Sequence, residues 1–506
     1  MSVNRAVLPA PLYTADQTRS LDRIAIEEFG IPGIRLMQRA GHAVFAEIVE
    51  RFPGLKKITI LAGAGNNGGD GFIVALLARQ KSIDVQLICV GPENFVDKLQ
   101  GEAKQAWQLL SEIDGSYELY VPGIIMSGEL IVDGLLGTGL SGNVRGDFKN
   151  AIKQINELSR PVIAVDIPSG ICADSGKVLG IAVEADITIS FIGLNRGLLT
   201  GDAVDYCGLL LFDDLKVPAD VYLQVPTTVH RTTVKELARC FPRRDRSSHK
   251  GKHGHLLIVG GNLGMGGAAL LASEAGIRSG AGLVSLATRA EHVAASLSRC
   301  PEVMCHSVET VAELKPLIFK ADVVVIGPGL GNNAWSEQML REVLTQHKKV
   351  VLDADALNLM VEKDLFNPGD AENWIFTPHP GEASRILDKT IPELLQDRFQ
   401  TVLELQSKCG GTVILKGAGS LSTGGKSISL CDKGNPGMAV GGMGDVLSGI
   451  CGAFMCQGLS AEVAARMAVY VHAAAADEIT AVQGEIGLIP SDLCKVLPRV
   501  INNRNE

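Results

Sequence analysis

The length, composition and charge of this 506-residue chain restrict its number of domains, its fold class and the ligands that it can bind. A single hydrophobic core rarely exceeds about 250–300 residues, so we expect more than one domain. A hydrophobic fraction of 46% with 57 glycines is typical of globular α/β folds and excludes a disordered chain. The net charge of −9 provides no strong basic field, which argues against nucleic acid as the main ligand.

The cysteines and the N-terminal segment predict a cytoplasmic location. The 11 cysteines form no C-x-x-C pair, and several lie in apolar runs, which fits a reducing compartment better than a disulfide framework. Met1–Thr14 has no apolar run long enough for the core of a signal peptide. No uncharged apolar stretch reaches about 18 residues, so we expect no transmembrane helix.

The first half of the chain alternates short apolar strands with helices. This alternation predicts a parallel sheet that is covered on both faces. The helices are expected at 16–29, 33–51 and 72–81, and the strands at 58–62, 85–90, 130–133, 162–166 and 187–191.

A second block of the same kind begins at residue 255. Residues 225–252 lose the apolar period and are rich in Arg, Lys and Thr, so we place the domain boundary near Val225, with domains of 1–225 and 226–506. A hairpin is expected over 421–423 and 427–430. The other elements expected are a helix at 268–279 and strands at 255–259, 284–287, 323–326, 350–353, 374–376 and 412–415.

A glycine loop, 63–71, directly follows a predicted strand and opens a predicted helix. Ligands bind at this position in open α/β sheets. The loop does not have the G-x-G-x-x-G register, so it is not an ordinary NAD fingerprint. Asn66, Asn67 and Asp70 add polar side chains that a plain phosphate cradle does not need. A purely structural turn is the alternative for this loop taken alone.

Two neighbouring strands of the first block also end in acids. Asp133 and Asp166 each begin a glycine-containing loop at a strand end, so their carboxylates should converge on one crevice. Together with Asn67 and Ser169 they offer only oxygen ligands, which suit a hard cation. Either acid could instead cap the turn that follows it.

These motifs resemble the NAD(P)H-hydrate epimerase family. The resemblance covers residues 13–215 and includes 36–41, where the sequence reads Leu-Met-Gln-Arg-Ala-Gly. It implies a Rossmann-like, three-layer αβα fold, interconversion of the R and S forms of hydrated NADH or NADPH, and a bound potassium ion. The family often has a lysine before a Gly-Leu-x-Thr-Gly stretch, and this sequence has Asn195 and Arg196 at that point.

The resemblance also implies which residues form the site. Asp166 is predicted to be catalytic, and Asn67, Asp133 and Ser169 are implied to hold potassium. The residues implied to line the hydrated nucleotide are Asn66, Asn67, Gly68, Gly69, Asp70, Gly137, Thr138, Gly139, Leu140, Ser141, Gly142, Asn143 and Asp166.

The glycine-rich segment 435–449 precedes an apolar helix pattern in the second block. Glycines let backbone N–H groups turn inward together, and at a helix N-terminus such groups favour an anion. Asp445 is the only acid in the segment. A phosphate would repel it, so its expected role is to take a proton from a hydroxyl that attacks a phosphoryl group. A tight helix–helix contact through small residues is the alternative.

Further strand ends of the second block carry polar loops. Residues 416–420 combine backbone N–H groups with a leading lysine and suit a second anion. His379 lies between two prolines, which indicates a ligand contact, with a capping turn as the alternative. Residues 327–331 end another strand. Of Asp353 and Asp355, one carboxylate is expected to face the site and the other to be buried or capping.

The combination resembles the ribokinase-like superfamily and, within it, the NAD(P)H-hydrate dehydratase family. The resemblance covers residues 232–500, and the matching motifs include the segment 250–255. The resemblance implies a ribokinase-like αβα fold and loss of the 6-hydroxyl of the S hydrate, with Mg²⁺ and ADP (converted to AMP) in most bacterial members or ATP in eukaryotic ones. The implied adenine-nucleotide ligands are Lys416, Gly417, Ala418, Gly419, Ser420 and Gly444. The implied contacts of the hydrated dinucleotide are Ala281, Gly331, His379 and Asp445.

Two other functions remain open from the sequence. One is a ribokinase-like small-molecule kinase fused to a nucleotide-binding regulatory module. In the other, the first block is a scaffold without catalysis of its own. The basic stretch 243–255 lacks interleaved aromatics, so a solvated linker is favoured over RNA binding. We expect a homo-oligomer whose partners are small molecules, with no nucleic acid and no membrane.

Overall fold

A computed structural model describes residues 7–241, 243–346 and 348–503, and the chain divides into two compact units, 1–229 and 230–506. Residues 1–6, which belong to the segment that was assessed for a signal peptide, lie outside the described part. Within the described residues, no helix is long and apolar enough to cross a membrane. The cysteines are free thiols.

The first unit is built on a parallel sheet. Its strand order reverses between Lys57–Ala62 and Leu130–Gly134, where Leu61 pairs with Asp133. From one edge to the other, the strands are Glu118–Leu119, Asp84–Cys89, Lys57–Ala62, Leu130–Gly134, Val162–Val165, Ile187–Phe191 and Leu209–Asp213.

Helices cover both faces of this sheet. Ile60 and Val132 point into one apolar cluster with Leu21 and Val44, whereas Leu61 and its neighbours point into another with helix Gly146–Asn156. The predicted three-layer α/β arrangement is therefore confirmed. The elements besides the sheet are strand Pro11–Leu12, helices Ala15–Glu27, Gly33–Arg51, Asn66–Gln80, Gly101–Ser111, Gly146–Asn156 and Ala219–Leu223, and 3₁₀ turns Phe95–Lys98, Arg196–Leu199 and Gly201–Asp205.

The expected glycine loop 63–71 is shorter than predicted, because helix Asn66–Gln80 begins inside it. Gly68 lies in the first helical turn, and a Cβ there would be 1.9 Å from the carbonyl oxygen of Gly63. This glycine therefore permits close packing of the helix on the strand end rather than a long loop. The expected strand 162–166 also ends one residue early, because Asp166 has a left-handed φ of 63°.

The second unit contains a larger, mixed sheet. Lys349–Leu352 lies near its middle, and the last two strands form the predicted antiparallel hairpin. In spatial order the strands are Met304–Ser307, Leu283–Thr288, His255–Val259, Val323–Ile326, Lys349–Leu352, Trp374–Phe376 and Thr412–Leu415, all parallel, then Ser420–Thr423 and Ile428–Cys431.

A large apolar cluster buries one face of this sheet under long helices. Ile258 and Val325 pack there with Ile450 of helix Met443–Cys456 and Ala468 of helix Ala461–Gln483. The helices of the unit are Val234–Cys240, Gly266–Arg278, Val293–Arg299, Val311–Lys320, Ala334–Thr345, Ala354–Glu362, Pro380–Leu387, Ile391–Gln396, Arg398–Cys409, Met443–Cys456, Ala461–Gln483 and Pro490–Asn502, with 3₁₀ turns Lys250–His253, Ala290–His292, Pro368–Asp370 and Pro436–Met438.

The stretch 225–252, which lacks an apolar period in the sequence, nevertheless contains regular structure. Strand Val229–Arg231 and helix Val234–Cys240 form within it. Leu237 and Phe241 are buried in the core of the second unit, and the ring of Phe241 lies 4.4 Å from that of Phe454. Only two large apolar side chains anchor this helix, which is too few for a visible period in the sequence.

Candidate active sites

The first unit holds a cavity of about 700 Å³ at the carboxyl edge of its sheet. The cavity lies where the strand order reverses, which is the usual ligand position in open α/β sheets. Helix Ala15–Glu27 contributes Thr18, Arg19 and Asp22 to its wall. The residues of the wall that were predicted from the sequence are Asn66, Asn67, Asp70, Gly137, Thr138, Gly139, Leu140, Ser141 and Asp166.

Carboxyl groups from separate elements line this cavity, namely Asp22, Asp70, Glu102 and Asp166. Burial, together with the charges of Asp166 and Glu102, raises the pKa of Asp22 to about 7. Burial raises the pKa of Asp166 to about 6, although hydrogen bonds from Ser190 and Phe191 to its carboxylate oppose the rise. Like charges this close disfavour joint ionisation, so near neutral pH a protonated acid lies beside a carboxylate.

The structure leaves four of the predicted nucleotide contacts outside the cavity wall. Gly68 and Gly69 are buried in the first turn of helix Asn66–Gln80, where added side chains would collide with Gly63 and Met37. Gly142 and Asn143 are exposed beyond the end of the wall. Helical packing and the course of the loop thus place these four residues apart from the side chains that line the cavity.

Sequence reasoning missed the contribution of the first helix. Thr18 and Asp22 are one turn apart and share its cavity face. The indication available in the sequence was Asp22, an acid that directly follows the apolar Leu21, which the structure buries fully. Asn195, where the resembled family often has lysine, is fully buried, and its Oδ1 accepts a hydrogen bond from Thr18 Oγ1 at 3.3 Å. Asn195 thus fixes the side chain of Thr18, which lines the cavity.

The three predicted cation ligands do converge. Asp133 and Ser169 are fully buried, and Ser169 Oγ donates to Asp133 Oδ1 at 2.6 Å. The Leu136 carbonyl accepts from Asn67 Nδ2 at 3.0 Å and lies 3.1 Å from Ser169 Oγ. Asn67 Oδ1 is buried without a hydrogen-bond partner. An unpartnered amide oxygen among other oxygens is what a hard cation would satisfy.

In the second unit, a partly buried lysine lies among carboxylates at the carboxyl edge of the sheet. Lys416 Nζ is 3.0 Å from Asp353 Oδ1 and 3.8 Å from Glu382 Oε2. Burial acts to lower the pKa of Lys416, but the two carboxylates outweigh it and the pKa is raised. Asp353 also caps helix Ala354–Glu362 and accepts from Thr377 Oγ1 at 2.7 Å, so it is the buried member of the Asp-x-Asp pair.

Asp445 lies in the first turn of helix Met443–Cys456, where a helix has free N–H groups. A Cβ on neighbouring Gly444 would lie 3.2 Å from Lys416 Nζ, so the glycine-rich segment and the lysine face one space. Burial raises the pKa of Asp445 to about 7, the charge of Asp353 adds to the rise, and Lys416 opposes it. The group therefore titrates in the range that a general base needs.

His379 and Gly331 border the same edge of the sheet. His379 caps helix Pro380–Leu387: its Nδ1 accepts from Gly381 N at 2.9 Å, and its exposed Nε2 lies 3.3 Å from Glu382 Oε1. Gly331 N donates to Asp355 Oδ2 at 2.8 Å beside a second cavity of about 560 Å³. Capping therefore fixes the loop and leaves the other imidazole nitrogen available for a ligand.

Ala281, also implied to contact the dinucleotide, lies apart from the other implied contacts within this unit. Ala281 precedes strand Leu283–Thr288 and so lies at the amino edge of the sheet, opposite Asp445. It is 5% exposed and packs within the apolar core. Its role as a contact was implied by the family resemblance, and within one chain the turn that contains it packs helix Gly266–Arg278 against strand Leu283–Thr288.

Two family models match the chain. One described as NAD(P)H-hydrate dehydratase matches residues 256–499, and one described as YjeF-related protein N-terminus matches 33–197. The bifunctional NAD(P)H-hydrate repair enzyme of Coxiella burnetii is 44% identical over 492 residues, which cover 97% of this chain and 99% of that one. The corresponding enzyme of Escherichia coli is 40% identical and covers 99% of this chain and 96% of that one.

The chain belongs to the bifunctional NAD(P)H-hydrate repair enzyme family. A solved ribokinase-like superfamily protein from Enterococcus faecalis matches with a TM-score of 0.51 and 30% identity, covering 54% of this chain and 95% of that one. The family and the ribokinase-like fold predicted from the motifs are therefore confirmed. As a member of this family the chain is an NAD(P)H-hydrate repair enzyme, and the kinase and scaffold alternatives fall away.

Proposed function

We propose that the first unit interconverts the R and S forms of hydrated NADH and NADPH, and that the second dehydrates the S form while ADP becomes AMP. The observation that carries the proposal is Asp445, an acid that titrates near pH 7 in a helical first turn beside partly buried Lys416. The test is incubation with hydrated NADH and either ADP or ATP, following dihydronicotinamide absorbance. No recovery of absorbance with either nucleotide would contradict the proposal.

The dehydration needs the 6-hydroxyl to become a better leaving group, because hydroxide leaves poorly near neutral pH. Asp445 takes the hydroxyl proton while the oxygen attacks the terminal phosphoryl group of ADP, and AMP departs. The ring nitrogen lone pair then expels phosphate, and loss of a proton from the neighbouring carbon restores the dihydropyridine. Lys416 and the free N–H groups of helix Met443–Cys456 stabilise charge on the transferring group.

Magnesium fits the second site as an ion that arrives with the nucleotide. Among the residues that the structure describes, no group of three or more His, Cys, Asp or Glu side chains is placed to hold a metal. Mg²⁺ commonly binds through one or two carboxylates plus substrate phosphates, and Asp353 offers a carboxylate here. When bound, the ion neutralises charge on the phosphoryl group that is transferred.

In the first unit, we assign the catalytic role to Asp166 and propose that Asp22 carries a second proton. Epimerisation requires removal of the 6-hydroxyl proton and protonation of the ring nitrogen as the C6–N bond opens. Closure on the other face returns both protons. A carboxylate and a protonated carboxyl in one cavity meet both needs, and Asn195 replaces the lysine often present in the family.

We further propose potassium at Asn67, Asp133 and Ser169. A site with one carboxylate among neutral oxygens carries too little charge to prefer a divalent ion, and Asn67 Oδ1 still lacks a partner. The ion would hold the first turn of helix Asn66–Gln80 in place and would not polarise the substrate.

Rubidium or thallium soaked into crystals should give an anomalous peak beside Asn67, Asp133 and Ser169, because both ions replace potassium. An Asn67→Ala variant provides the matched control and should lose the peak. An empty site in the unmodified protein, or one that accepts only magnesium at about 2.1 Å from its oxygens, would remove potassium from the proposal.

We propose a cytoplasmic location and small-molecule partners for the protein. The free cysteines fit the cytoplasm, and the net charge of −9 supports small molecules rather than nucleic acid as partners. We also propose a homo-oligomer, which sedimentation of the purified protein would test.

A further inference from the structure

The phosphate-binding loop 416–420 has a buried guanidinium behind it. Arg398, the first residue of helix Arg398–Cys409, is 3% exposed. Its Nη2 donates to the Gly419 carbonyl at 3.3 Å, and a Cβ on Gly417 would lie 2.6 Å from its Nη1. The guanidinium therefore contacts the back of the loop at both of these glycines.

Within the described residues, this charge has no carboxylate partner. The neighbouring acid, Asp397, is occupied in capping the helix, since its Oδ1 accepts from Phe399 N and Gln400 N at 3.0 Å each. Arg398 Nε is buried without a hydrogen-bond partner, and desolvation alone lowers the pKa of Arg398 to about 10. An unneutralised buried cation is costly, so a compensating anion is expected nearby.

The lysine of the loop cannot supply that positive potential alone. Asp353 and Glu382 both lie within 4 Å of Lys416 Nζ, and Asp445 adds a third acid to the same space. The local charge without Arg398 is therefore negative, which is unfavourable for a nucleotide. Arg398 is the cation at this loop that no carboxylate has already balanced.

We propose that Arg398 is a positioning residue for the phosphoryl donor: it fixes the loop 416–420 from behind and supplies the positive charge that attracts the phosphates of a nucleoside diphosphate. The inference rests on the proposed dehydratase function. Arg398 acts through the loop and through its field, and it does not touch the reacting atoms. The planar guanidinium group of Arg398 also holds the backbone of Gly417 and Gly419 in the geometry that presents N–H groups to an anion.

The test compares Arg398→Met, Arg398→Lys and Lys408→Met in the full chain. Lys408 is an exposed cation near the end of the same helix, so its variant controls for loss of charge. Calorimetry gives the Kd of ADP, and kinetics give the KM values of ADP and of the S hydrate separately. Circular dichroism and the KM of the S hydrate in each variant report that the second unit is folded.

Arg398→Met should raise the Kd and KM of ADP by about 10-fold or more, with the KM of the hydrate unchanged. Arg398→Lys should recover part of the loss, and Lys408→Met should match the unmodified protein. Unchanged ADP binding in Arg398→Met overturns this inference but not the proposed dehydratase function. If Arg398→Met does not fold, unchanged ADP binding in both Arg398→Lys and Arg398→Gln has the same meaning. Equal increases in both KM values overturn it as well, since they indicate a general structural defect. Failure of the unmodified protein to bind any adenine nucleotide overturns the proposed dehydratase function too.

Discussion

The Asp445→Asn variant should dehydrate the S hydrate about 10²–10⁴-fold more slowly than the unmodified protein, the usual contribution of a general base. The substitution keeps the size of the side chain and removes its basicity. Nucleotide binding should survive, because Lys416 and the loop that follows it stay in place. Single-turnover measurement of NADH formation at saturating ADP separates the chemical step from binding.

The pH dependence provides an independent check on Asp445. A base works when ionised, and the pKa of Asp445 is raised to about 7 by burial and by Asp353. The dehydration rate of the unmodified protein should therefore rise between about pH 6 and pH 8. Near-normal turnover in Asp445→Asn would exclude Asp445 from the mechanism.

Asp166→Ala should abolish epimerisation, a loss of at least about 10²-fold, and leave dehydration of the pure S form intact. The reason is that Asp166 and Asp445 lie in different sheets of separate units. Following the R and S forms by chromatography without ADP measures the first activity alone. Dehydration of the S form in the same sample tests the independence of the two activities, and circular dichroism reports whether the variant is folded.

A second variant guards against a backbone artefact at this position. Asp166 has a φ of 63°, which asparagine tolerates better than alanine does. Asp166→Asn should therefore be as inactive in epimerisation as Asp166→Ala while keeping the turn. If dehydration of the S form collapses in both folded variants, the two activities are not independent.

Strand ends were the predictable part of both sites. Asp133, Asp166 and Lys416 each follow an apolar run, and parallel strands necessarily bring such ends to one edge of a sheet. Strands that are buried on both faces read as continuous apolar runs, so the expected strands agree with the structure to within a residue or two. Asp445 was predictable for a related reason, since a glycine-rich segment with one acid before an apolar helix has few structural uses.

Contributions from outside the strand ends were not predictable. Asp22 reaches the first cavity because helix Ala15–Glu27 packs across the end of the sheet, and a helical period shows which face is buried but not what it covers.

The acids that make the first cavity reactive also have a thermodynamic cost. The pKa of Asp22 is raised from 3.8 to about 7 on folding, so the folded state holds this proton more tightly than the unfolded chain does. Its contribution to the unfolding free energy is complete below about pH 4 and is lost as the pH rises toward 7. Asp22→Asn, which cannot ionise, should therefore lose less thermal stability between about pH 5 and pH 8 than the unmodified protein, as calorimetric unfolding would reveal. Near neutral pH the first unit thus accepts a stability–activity trade-off, because its chemistry needs Asp166 as a carboxylate and burial disfavours that ionised form.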